Sequence, residues 1–168
     1  IPGVNDSKKL SEKKREVIFE RAIELVVAGK LQYSVQMPSA KMIDKKGIAV
    51  VIREAMDKGL QELSSSTIFK WSTVQVKLDG SLRAPDYCVH QETIIKGDAK
   101  EKVIGLASIM AKVTRDRYME RVAKKPSFQV YDFACHKGYG TLAHRIAIAK
   151  NGLSTEHRAS YCKNIKML

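Results

Sequence analysis

Two periods of apolar and polar residues run along the 168 residues. Val17, Ile18, Ala22, Leu25 and Val26 recur at helical spacing, with Ser11 as a suitable N-cap, Glu12 in the first turn and Gly29 to close the helix. LQYSVQM, residues 31–37, alternates well enough to predict a strand. A second helix is predicted roughly from Asp44 to Leu63, followed by a loop at SSS, 64–66. VQVKLDG, 74–80, alternates strictly, with Val74, Val76 and Leu78 on one face and Gln75 and Lys77 on the other, which predicts a strand ending at Asp79-Gly80. Residues 81–93, with Pro85, read as loop, and Ile94-Ile95 as a short extended segment. Asp98 to about Ala123 is predicted as the longest helix, stopped by Pro126. Its small and medium residues Gly105, Ala107, Ser108, Ala111 and Val113 are expected to let it approach a sheet closely. HKGYGT, 136–141, reads as a tight loop, with Thr141 capping a last helix through Lys150 that Gly152 closes. Helix and strand alternate without repeat, low-complexity segment or linker, which argues a single α/β domain.

Composition adds one strong fact. A hydrophobic content of 44% and a charged content of 29% are those of a soluble globular chain, and no apolar run approaches a membrane span of roughly 18 residues. The three cysteines, Cys88, Cys135 and Cys162, are odd in number and widely spaced, so reduced thiols in a cytoplasmic protein are expected rather than a disulfide framework or zinc site. The net charge, however, is +12. Residues 1–84 carry 15 Lys and Arg against 10 Asp and Glu, and residues 85–168 carry 15 against 8, so the excess is spread through the fold. Such a domain suits a polyanionic partner, nucleic acid before others, although a solvated basic surface gives the same count. The chain opens Ile-Pro-Gly, without methionine, and reads as the inside of a longer protein.

Against that basic background two carboxylates stand out. Asp79 ends a predicted strand and precedes a glycine; Asp98 starts a predicted helix and follows one. Strand ends and helix starts are where α/β folds place their sites, and a carboxylate pair without His or Cys suits a hard cation such as Mg²⁺ or Mn²⁺. The alternative is that Asp79-Gly80 is a turn and Asp98 only an N-cap. In HKGYGT, Gly138 and Gly140 permit close backbone approach, and Tyr139 between them offers a ring that can stack on a sugar or base; an ordinary glycine turn with a packed tyrosine is the other reading. Ser7, Lys8 and Lys9 precede the first helix as a phosphate grip or a solvated face.

These blocks, GVNDSKKLSEKKRE at 3–16, KLDG at 77–80, IIKGDAKEKVIGLASIMAKVTRDR at 94–117 and HKGYGT at 136–141, closely resemble in order and spacing the motifs of bacterial ribonuclease HII, from Gly3 to about Ser160. The resemblance implies a ribonuclease H-like fold, a mixed sheet flanked by helices with a C-terminal helical part. It divides the chain into a catalytic domain at 1–125 and a helical extension at 126–168. It implies an endoribonuclease that hydrolyses the RNA strand of RNA/DNA hybrids and cuts 5′ to ribonucleotides embedded in duplex DNA. Four carboxylates there hold two divalent metals, Mg²⁺ or Mn²⁺. By the same match Asp79 and Asp98 are the third and fourth carboxylates, Ser7 and Lys8 contact phosphate, and Tyr139 packs on the sugar at the RNA–DNA junction. Lys100 and Lys112, with Lys96, Arg115 and Arg117, then serve a phosphate-rich substrate around Asp98. The expected partner is the hybrid or ribonucleotide-bearing duplex, with no membrane and a monomeric protein.

The chain departs from that pattern in one large respect. The first two carboxylates belong to an Asp-Glu-x-Gly-Arg-Gly motif in the family's first strand, and no Asp-Glu dipeptide or Gly-Arg-Gly occurs here. The N-terminal strands are therefore expected to be missing from this chain, leaving it inactive as given. Smaller departures are Gly105-Leu106 in place of alanines, Asp132 in place of glycine and Cys135 in place of lysine. Three readings compete: such an enzyme lacking its first strands, a catalytically inactive nucleic-acid-binding fragment, and a weakly stable piece with an exposed sheet edge.

Overall fold

The computed structural model describes residues 1–65 and 70–166; Ser66 of the expected SSS loop lies outside them. The chain forms two compact units, one of residues 1–36 and 53–114, the other of 37–52 and 115–168.

The first unit begins with α1 (Glu12–Val27), capped by Ser11, whose hydroxyl accepts the Lys14 N–H at 3.4 Å. Its buried face is Ile18, Phe19 and Ala22, one position round from the expected stripe, and Val17 is left exposed. That face packs with Val4 and with Ile109, Met110 and Val113 of α5 (Lys102–Ala123) in one core cluster. Burial of each large side chain there contributes roughly 1.5–3 kcal/mol. Residues 31–39 form no strand, because a strand is held by its ladder and nothing among the described residues pairs with this segment.

The expected helix at 44–63 is two: α2 (Ala40–Lys46), capped by Ser39, and α3 (Ile48–Ser64). Gly47 divides them with φ 80°. The sheet consists of β1 (Gln75–Asp79) and β2 (His90–Ile94), paired in parallel with Gln75 opposite His90 and Asp79 opposite Ile94. β1 follows its alternation, and Val76 and Leu78 pack with Ala84, Cys88, Met56, Leu60 and Trp71. β2 occupies part of the expected loop: HQETI has no apolar alternation, and the ladder with β1 makes it a strand. The expected helix from Asp98 is also broken. A single turn, α4 (Gly97–Lys100), ends at Glu101 in extended geometry before α5 begins. The close approach of α5 is to the N-terminal segment: a Cβ at Gly105 would meet Val4 Cγ1 at 3.1 Å, and Ser108 Oγ lies 2.9 Å from Ser7 Oγ.

In the second unit α5 stops at Ala123, and Pro126 opens a 3-10 stretch, Pro126–Tyr131. The short α6 (Phe133–His136) and then α7 (Leu142–Asn151) follow, α7 capped by Thr141 and closed at Gly152 as expected. Met119, Val122, Tyr131, Phe133 and Ile148 form its core, with the rings of Tyr131 and Phe133 stacked at 5.3 Å. Asp132 lies in the left-handed region, φ 51° and ψ 45°, where glycine is easiest and aspartate is among the tolerated residues. That accounts for a glycine being usual there in the family the sequence resembles. The protein is thus α/β with a helical C-terminal part. No helix among the described residues is long and apolar enough to cross a membrane.

Candidate functional site

The period-2 geometry of β1 puts Lys77 and Asp79 on one face, opposite Leu78. Both reach the turn at residues 97–101. Asp79 Oδ1 accepts the Gly97 N–H at 2.7 Å, and Lys77 Nζ donates to Glu101 Oε2 at 2.8 Å. The hydrogen bond that Lys77 donates to Glu101 raises the Lys77 pKa, so the ammonium stays charged. Lys96 turns the chain from β2 into α4 in the left-handed region, φ 57° and ψ 44°. For a residue with a Cβ this costs on the order of 1–3 kcal/mol, the kind of strain that collects at functional sites. A Cβ at Gly97 would lie 2.6 Å from Ile104 Cδ1 and 3.3 Å from Asp79 Oδ1, so glycine lets the β1 carboxylate close on the turn.

Asp98 follows directly. It stands inside α4 rather than at its cap, half-buried, with no hydrogen-bond or ion-pair partner among the described residues. The two aspartates singled out from the sequence therefore lie on segments joined by a hydrogen bond: Asp79 holds the backbone of the residue that precedes Asp98. Among the described residues no three His, Cys, Asp or Glu side chains are grouped to hold a metal ion.

Close packing extends to the backbone of Asp98. A Cβ at Gly105 would stand 2.8 Å from the Asp98 carbonyl oxygen. Gly105→Ala is expected to force the α4 turn aside and to cost about 1–3 kcal/mol, the usual range for overpacking, read as a lower denaturation midpoint with unchanged m-value. A midpoint at or above that of the parent would remove the tight fit from the account.

The basic residues divide by exposure. Lys8 and Lys100 are exposed, and no carboxylate pairs with either among the described residues. Lys112 is half-buried on α5. Ser7 is different from what its expected phosphate contact suggests: it is 5% exposed, its hydroxyl faces Ser108, and its carbonyl accepts from Arg15 Nη1 at 3.1 Å. Its side chain anchors the segment that presents Lys8.

In the second unit, Gly138 takes φ +79° while Gly140 does not use the left-handed region. Tyr139 between them is 53% exposed, with the Arg115 guanidinium 4.9 Å from its ring centroid. Its carbonyl accepts the Thr141 N–H at 2.8 Å. Behind the loop stand three histidines that the pattern of the sequence did not single out, His136, His144 and His157. Burial lowers the His144 pKa, and burial and then the neighbouring His144 push that of His157 down to about 4. The three cysteines are free.

Comparison with known proteins gives the family. The ribonuclease HII family matches residues 2–164. The chain is similar to a ribonuclease HII from Endomicrobium trichonymphae, 38% identical over 161 residues that cover 96% of this chain and 71% of that protein. It is similar to one from Caldicellulosiruptor bescii, 41% identical over 168 residues covering 100% of this chain and 75% of the relative. A third, from Shewanella piezotolerans, is 42% identical over 161 residues, 96% of this chain and 73% of the relative. With a match of this extent, the chain belongs to the ribonuclease HII family and is by that membership a ribonuclease hydrolase.

Proposed function

We propose that this protein takes RNA/DNA hybrid and duplex DNA with embedded ribonucleotides as substrates and serves hydrolysis on the 5′ side of the ribonucleotide. The observation that carries the reading is the bond of Asp79 to the turn that bears the half-buried Asp98, which has no hydrogen-bond or ion-pair partner among the described residues, in a chain of net charge +12. Residues 1–125 form the catalytic domain and 126–168 its helical extension. The carboxylate oxygens of Asp79 and Asp98 suit a hard divalent cation, Mg²⁺ or Mn²⁺. A divalent cation held there would supply activation of water and stabilisation of the leaving oxygen.

The chain's own residues have separable tasks. Asp79 and Asp98 hold the cation, with Asp79 fixed in orientation by Gly97 N–H. Lys8 and Lys100, exposed, and Lys112 contact phosphate, and Ser7 holds the Lys8 segment in place through Ser108. Tyr139 lays its exposed ring against the sugar at the junction. A second reading, a catalytically inactive nucleic-acid-binding fragment, is favoured by the presence of only two of the family's four carboxylates.

Binding separates charge from shape. Affinity for hybrid duplex is expected to fall with salt, each neutralised phosphate adding about −0.9 to the slope of log K against log salt on duplex DNA. Lys8→Ala and Lys100→Ala should each flatten that slope by roughly one such step, measured by fluorescence anisotropy across a salt series. An affinity that is nearly independent of salt would sink the phosphate reading.

A further inference from the structure

Tyr139 sits between two glycines, Gly138 and Gly140, which bias the backbone on either side of it little. Beside the backbone bonds of Tyr139 N–H to the His136 carbonyl and of Thr141 N–H to the Tyr139 carbonyl, the histidines behind the loop add a side-chain hold on it. His144 and His157 place their Nε2 atoms 2.9 Å apart, so one nitrogen donates and the other accepts. The outer atoms of the pair fix which. His157 Nδ1 lies 2.8 Å from the Ser154 backbone N–H, which can only donate; His157 Nδ1 therefore accepts and Nε2 carries the proton. At the other end, His144 Nδ1 lies 2.9 Å from the Tyr139 carbonyl, which can only accept; His144 Nδ1 carries its proton and Nε2 accepts. Two independent ends demand the same direction, from Ser154 through His157 and His144 to Tyr139.

The surroundings keep the pair neutral. His136 stacks on His144 at 4.3 Å, and its own nitrogens accept the Gly138 N–H at 3.2 Å and donate to the Tyr131 carbonyl at 2.7 Å. The rings of Tyr131 and Phe133 face His157 at 4.9 and 5.5 Å. No carboxylate hydrogen-bonds to any of the three imidazoles among the described residues. A cation on either member of the pair would set N–H against N–H, and burial already disfavours it.

We propose that His144 and His157 are positioning residues that hold the Tyr139 loop in place for its contact with the ribonucleotide sugar through a one-way hydrogen-bond relay, a role that rests on the reading of Tyr139 as that contact. The relay acts on the carbonyl of the residue whose ring does the recognising, so its loss displaces the ring without removing it.

Three measurements on the 168-residue chain test this. Long-range ¹⁵N–¹H correlation of the imidazoles near neutral pH should show His144 protonated on Nδ1 and His157 on Nε2; the opposite tautomers, or a protonated pair, overturn the relay. His144→Asn keeps a donor close to the Nδ1 position and its bond to Tyr139. His144→Gln reaches the Nε2 position instead and keeps only the link to His157. The readout is the ratio of affinities for a duplex with one ribonucleotide and the same duplex in all-DNA form. His144→Asn should stay near the parent ratio, while His144→Gln should lower it by roughly 2- to 10-fold, what one net hydrogen bond contributes. Equal effects of the two variants would mean that the imidazole only fills space, and overturn the proposal. Tyr139→Ala separates the two readings: an unchanged ratio there undoes the sugar contact, while the tautomers still decide whether the relay exists.

Discussion

A duplex carrying one ribonucleotide is expected to survive incubation with residues 1–168 and Mg²⁺, and to be cut 5′ to the ribonucleotide once a segment bearing Asp-Glu-x-Gly-Arg-Gly is joined ahead of Ile1. The reason is charge. Two divalent ions bring four positive charges to the site, and Asp79 and Asp98 offset two of them. Two unit charges 4 Å apart repel by about 4 kcal/mol at an effective dielectric near 20, and two divalent ions by about four times as much. Without further carboxylates that repulsion stands against occupancy of both positions, and no cluster of three acidic, His or Cys groups exists among the described residues to relieve it. The added Asp and Glu would bring the acidic set to four. Cleavage is read on a denaturing gel with Mg²⁺ and with Mn²⁺. Robust cutting by residues 1–168 alone would show that two carboxylates suffice; no cutting by the longer protein would undo the catalytic assignment.

What the sequence disclosed about this site, and what it hid, follows from the range of the interactions involved. β1 was legible because Val76 and Leu78 alternate with Lys77 and Asp79, and alternation is a local property. β2 was not, because HQETI takes its strand geometry from pairing with β1, which no window of the sequence contains. LQYSVQM shows the converse: it alternates, yet among the described residues nothing pairs with it. Asp79 and Asp98 could be singled out from their glycine neighbours, but the bond that joins their segments runs from Asp79 to Gly97, and the Lys77–Glu101 ion pair beside it spans 24 positions. Ser7 was read from its polar, lysine-rich surroundings; its burial depends on Ser108, 101 residues away. The histidine relay left no signal at all, since His144 on a helix with apolar neighbours reads as an ordinary core residue, and its partners come from α6 and from the segment after α7.

In the longer protein, Asp98→Asn and Asp79→Asn should each abolish most of the cleavage while leaving binding in place. Asparagine keeps the size of the side chain and one carbonyl oxygen but removes the charge. At position 79 that oxygen can still accept the Gly97 N–H, so the turn at residues 97–101 should hold and the loss will not be one of folding. At position 98 the half-buried carboxylate has no hydrogen-bond or ion-pair partner among the described residues, so its replacement strands no donor there. What each variant loses is its charged oxygen for the cation. Removing even an outer partner of a metal ligand costs about 10–100-fold, so removal of a ligand's charge should cost at least about 100-fold in the cleavage rate. Affinity for the duplex, measured without divalent metal, should be unchanged or slightly higher, because a negative charge has been taken from a phosphate-facing edge. A variant that still cuts within tenfold (~1.4 kcal/mol) of the parent would remove that aspartate from the metal-holding set. One that loses binding and cleavage together, with an unchanged melting temperature, would place it among the substrate contacts instead.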